Sequence, residues 1–61
     1  MFNDHPMRFV ITITTDDAPG HIPVWAGKSE QDALFHVNNT QRWAEGEIFL
    51  WEWREGRYTE V

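Results

Sequence analysis

GEIFLWEWREGRYTEV, residues 46–61, decides how this chain folds. Phe49, Trp51 and Trp53 stand on alternate residues, the period of a strand with two unlike faces. Glu55-Gly56 then offers two-residue turn chemistry, with the glycine free to take a positive φ. Tyr58 to Val61 returns as a second strand, so residues 47–54 and 58–61 read as a hairpin. In that register Trp53 faces Tyr58, Glu52 faces Thr59, Trp51 faces Glu60 and Leu50 faces Val61.

Working outward, residues 7–15, MRFVITITT, alternate in the same way. Met7, Phe9, Ile11 and Ile13 fall on one face, and Arg8, Val10, Thr12 and Thr14 on the other. DDAPG, residues 16–20, is turn chemistry. HIPVWA, residues 21–26, is a further strand, with Ile22, Val24 and Ala26 on one face and Pro23 and Trp25 on the other. Pro23 has no N–H to donate, which places this strand at a sheet edge. Residues 1–6 show no period and read as a flexible lead-in.

Between the two strand pairs lies a helix. Ser29 is its N-cap, and Asp32, three residues on, completes an imperfect capping box. Glu30 and Asp32 favour the positive end of the helix dipole. Ala33, Leu34 and Val37 form a narrow apolar stripe flanked by Phe35. Asn38-Asn39 set the expected helix end, and Trp43 is expected to plug it.

The reading is a small single α+β domain: ββαββ, an antiparallel sheet in the order 2-1-3-4, one helix on one face. Phe49 and Trp51, being mid-strand, are expected beneath the helix. Trp53 and Tyr58 lie next to the turn and admit two roles, capping the core or contacting a partner. The opposite face is expected to hold Arg8, Thr12, Thr14, Glu52, Arg54, Arg57 and Thr59 with Val10, Ile48 and Leu50 among them, as a solvated face does.

At 61 residues the chain buries only about 60% of its unfolded surface, so its stability is marginal. It has no Cys, hence neither a disulfide nor a thiolate metal site. Four Trp, four Phe and one Tyr are the substitute, because each ring buries a large area. The net charge of −5 is spread along the chain and argues against phosphate binding. It suits docking on a basic surface. No secretory pattern stands at the start, and the longest apolar run, residues 48–51, is far too short to span a membrane. A cytoplasmic location is expected.

Catalytic chemistry is hard to assemble. His5, His21 and His36 lack ligand spacing. Ser29 is accounted for as a cap, and the AGKS run at residues 26–29 lacks the upstream glycine of a phosphate loop. Glu47 and Glu52, five apart on a strand, point to opposite faces. The NNT run at residues 38–40 matches a glycosylation sequon but reads as the helix end. A non-enzymatic protein with no cofactor and no metal is expected. Trp51, Trp53 and Tyr58 share a face that could stack bases, yet the acidic balance tells against nucleic acid.

Two resemblances bear on function. Ile22-Pro23-Val24-Trp25-Ala26, Asp32-Ala33-Leu34, and Gly46 with the strand to Arg54 resemble the small RNA-polymerase inhibitors of T7-like phages, over residues 8–54. That resemblance implies a non-enzymatic blocker of a host enzyme. The family's final strand carries two polymerase-contacting arginines; the matching places here hold Glu52 and Arg54, so one basic residue is kept. Pro19-Gly20, Gly27, Ser29 and Asp32-Ala33-Leu34 resemble HicB-type antitoxins, with longer spacing. The expected function is a small acidic inhibitor, phage-encoded, that blocks a host RNA polymerase or CRISPR effector by protein–protein contact. Its expected anchors are Trp25, Trp53 and Tyr58, with Glu52, Arg54 and Arg57 as polar contacts. The alternatives are an antitoxin module for a small basic toxin, an acidic DNA mimic, and a homodimer through the fourth-strand edge.

Overall fold

The computed structural model describes residues 7–17 and 19–61; the lead-in expected over residues 1–6 lies outside them. The elements run β1 (Phe9–Ile13), β2 (Ile22–Gly27), α1 (Glu30–Gln41), β3 (Ile48–Arg54) and β4 (Arg57–Glu60). One antiparallel sheet holds all four strands in the order β2-β1-β3-β4, as the sequence implies.

The β3–β4 hairpin has the expected register, with Trp53 opposite Tyr58 and Trp51 opposite Glu60. The Val61 N–H donates to the Leu50 carbonyl at 2.9 Å and continues the ladder. Both turn residues take positive φ, Glu55 at 52° and Gly56 at 86°. A two-residue turn of that kind matches the right-handed twist of the strands, and Glu55 accepts a left-handed conformation to make it.

Helix α1 starts where Ser29 caps it, its Oγ accepting the Asp32 N–H at 3.3 Å. It continues past Asn38-Asn39 to Gln41. Thr40 explains the extension: it is buried, and its hydroxyl donates to the His36 carbonyl at 2.7 Å. The inward stripe also differs from expectation. Ala33 and Thr40 are buried and His36 and Val37 half-buried, an i, i+3, i+4, i+7 set. Leu34, one position from Ala33, is rotated to solvent at 52% exposure. Ala33 has no side chain beyond Cβ, which lets the helix lie close on the sheet. Trp43, expected as a plug, is 54% exposed.

The β1–β3 register decides which residues the helix covers. Phe9 lies opposite Glu52, Ile11 opposite Leu50 and Ile13 opposite Ile48. These pairs share one face, and α1 packs on it. Phe9, Ile11, Ile13 and Ala33 are buried there. Val10 lies opposite Trp51 and Thr12 opposite Phe49, on the other face. The expectation that Phe49 and Trp51 sit beneath the helix is therefore corrected. So is the grouping of Ile48 and Leu50 with Val10 and Thr12. A one-residue change of register exchanges the faces of a whole strand, and ring size plays no part in it.

An irregularity between Ile11 and Thr12 shifts the β1–β2 pairing, so Trp25 lies opposite Ile11 and Pro23 opposite Thr12. Trp25 thus turns to the helix side, where its ring stacks on His36 at 4.9 Å. Gly46 marks a close approach: a Cβ there would fall 1.5 Å from the Thr14 carbonyl oxygen. Only glycine lets the chain enter β3 so near the end of β1.

A candidate interaction face

The helix occupies one side of the sheet. The other side presents Val10, Thr12, Phe49, Trp51, Trp53 and Tyr58, joined by His21 from the start of β2. Among the described residues only neighbouring side chains shield this face, and they bury Thr12 while leaving Phe49 and Trp51 half-buried. Thr12 is the centre: it is buried, and its Oγ accepts the Trp51 indole N–H at 2.9 Å. The same oxygen lies 2.9 Å from His21 Nδ1. A hydroxyl has one proton and two lone pairs, so it can serve both neighbours at once.

The rings around Thr12 interlock. His21 meets Phe49 edge-on at 4.6 Å and Trp51 at 5.4 Å, and Phe49 lies 6.2 Å from Trp51. Such offset and edge-to-face contacts match the quadrupoles of the rings. Nearer the turn, Trp53 and Tyr58 meet edge-on at 4.9 Å. The Tyr58 hydroxyl donates to the Met7 carbonyl at 2.7 Å, tying β4 across to the start of β1. Trp53 and Tyr58 are each 36% exposed. A shallow depression of about 340 Å³ opens here, lined by Val10, Thr12, His21, Trp51 and Tyr58.

The charged residues of β3 and β4 lie on the opposite side from these aromatics, as the alternation implies, although that side is the one the helix packs on. Glu52 shares the face of Phe9, and Thr59 lies beside it. Arg8 donates from Nε and Nη2 to Glu52 Oε2 at 3.0 and 2.8 Å. Arg54 donates from Nε to Oε1 at 2.8 Å, with Nη2 at 2.7 Å. The Arg8 hydrogen bonds, seconded by those from Arg54, hold the Glu52 carboxyl below the usual glutamate range. Arg57 faces Arg54 across the hairpin.

The six anticipated contact residues therefore divide among three places. Trp53 and Tyr58 are on the open aromatic face. Glu52, Arg54 and Arg57 form a charged cluster on the reverse side. Trp25 is half-buried against the helix. Sequence reading put Thr12 on the open face but Phe49 and Trp51 beneath the helix, and it gave His21 no part in that face. The available signal was parity: pairing Trp51 with Val10 brings Phe49 and Trp51 to the side of Thr12, whereas His21 depends on the irregular β1–β2 pairing. Among the described residues no helix is long and apolar enough to cross a membrane.

No family model, no curated protein and no solved structure matches this chain.

Proposed function

We propose that this chain is a small acidic binding protein that blocks a nucleic-acid enzyme of a bacterial host, an RNA polymerase or a CRISPR effector, by covering part of its surface. The observation that carries the reading is the aromatic sheet face left bare by the helix. Phe49, Trp51, Trp53 and Tyr58 crowd onto one side of a four-stranded sheet. Half-exposed Trp and Tyr held in fixed positions are what binding hot spots are made of. The net charge of −5 supports a partner with a basic surface, as nucleic-acid enzymes have. The choice of an enzyme of this class rests on the resemblance to the phage polymerase inhibitors.

The test is capture from a bacterial lysate on the immobilised protein, followed by assay of the captured enzyme. The wild type is expected to retain a nucleic-acid enzyme and inhibit it. Trp53→Ala, with its fold verified by circular dichroism, is expected to lose both. Recovery of no such enzyme, or equal recovery by wild type and variant, would contradict the proposal.

A further inference from the structure

The chain has five Lys and Arg residues, and their placement is uneven. Arg8 and Arg54 are committed to Glu52 on the helix side. The Arg8 guanidinium also lies 5.3 Å from the Phe9 ring centre on that side. Arg57 alternates with Tyr58 and so belongs to the face away from it. Lys28 lies in the connection into α1, and Arg42 caps the C-terminal end of α1. Among the described residues the aromatic face thus has no Lys or Arg of its own. It does have a carboxylate, because Glu60 stands directly opposite Trp51 and shares its side of the sheet. Glu47 extends that side, since the Thr14 N–H donates to its carbonyl at 3.0 Å in continuation of the ladder.

We infer that this face receives the cationic side chains of a basic protein surface, arginine above all, with Trp51 as the stacking ring and Glu60 as the opposing charge. The inference deepens the function proposed above, and rests on it for the existence of a partner. Three physical arguments lead here. An indole is the best ring for a cation, and a guanidinium is planar and weakly hydrated, so it stacks where an ammonium stays in water. The indole N–H of Trp51 is already spent on Thr12, which fixes a ring that stays partly open to solvent. The depression of about 340 Å³ beside it has room for a side chain. Single-stranded nucleic acid would find rings to stack on but no cation for its phosphates, which such sites need.

The experiment is titration of the intact protein with an end-blocked oligo-arginine peptide, read by tryptophan fluorescence. Oligo-lysine of equal length and an oligo-uridine serve as comparisons. Arginine is expected to bind several-fold more tightly than lysine. Binding should weaken as salt rises from about 50 mM to about 500 mM. Trp51→Leu should weaken it by about tenfold. Glu60→Gln, an exposed change that leaves the fold intact, should weaken it by about threefold.

Three results would overturn the inference: binding of oligo-uridine, no binding of oligo-arginine, or binding indifferent to both Glu60→Gln and the arginine–lysine exchange. The two proposals fail separately. A captured host enzyme whose retention ignores Glu60→Gln defeats the inference and leaves the function standing. Arginine-selective binding with no captured enzyme does the reverse.

Discussion

On one side of the sheet, Phe9, Ile11 and Ile13 lie under a helix that brings a single alanine down among them. On the other side, among the described residues, Val10, Thr12, Phe49 and Trp51 are flanked only by each other, His21 and Tyr58. The covered face uses Phe9 and aliphatic side chains, completed by Trp25 at its edge. The bare face uses rings and a shared hydroxyl. The difference teaches how a chain of this size manages without a second layer. Aliphatic groups need a lid to leave water. Rings wide enough to shield one another, and fixed by a hydrogen bond to a buried threonine, stay ordered without one. Such a surface is a lateral core.

If the covered face holds the fold, damage to it should be the most costly. Ile11 has no exposed surface, and Ile11→Ala should lose about 2–5 kcal/mol, enough to unfold much of a marginal domain. Chemical denaturation followed by circular dichroism would measure it; a loss no larger than that from a surface change would break the comparison. Next in size is the entry to β3. Gly46→Ala would drive a methyl into the Thr14 carbonyl and should cost about 1–3 kcal/mol in the same assay.

The bare face should behave in the opposite sense. Thr12→Val removes the acceptor of the Trp51 N–H and should cost about 1 kcal/mol of stability. Its larger consequence should be in the indole: Trp51 fluorescence anisotropy should fall as the ring is released. Unchanged anisotropy would show that packing alone holds the ring.

Much of this was legible in the sequence. The alternation in residues 7–15, the Glu55-Gly56 turn and Ser29 before an acidic first turn are local signals, and each appears in the structure as read. Pro23 marked its strand as an edge, where it lies. The faces of the sheet were not legible, because they depend on the β1–β3 register, which sets Val10 opposite Trp51 and Thr12 opposite Phe49 from distant parts of the chain. Local alternation fixes two faces for each strand but not which faces coincide. Trp25 was misplaced for a related reason: the irregularity between Ile11 and Thr12 changes the side on which it emerges. Leu34 was assigned inward on hydrophobicity, whereas close packing of α1 selected the smaller Ala33.

The charged cluster makes a pH-dependent difference between the faces. The Glu52 carboxyl is held below its ordinary range, so its contribution is complete above that range and is lost as pH falls through the depressed value. Denaturation midpoints should therefore drop on acidification below about pH 4.5, and Glu52→Gln should flatten that part of the profile. An unchanged profile would remove the cluster from the account. The smallest effect is expected at the outer helix surface, where Leu34→Ala should stay within about 0.5 kcal/mol of wild type.

The division of the sheet into a covered and a bare face is most directly tested by nuclear Overhauser contacts in the labelled protein in solution. The account predicts contacts between the Trp25 and His36 rings on the helix side, and from His21 to Phe49 and Trp51 on the other, with none between Ala33 and the Trp51 indole. Contacts from Ala33 to the Trp51 indole would put that ring beneath the helix and contradict it.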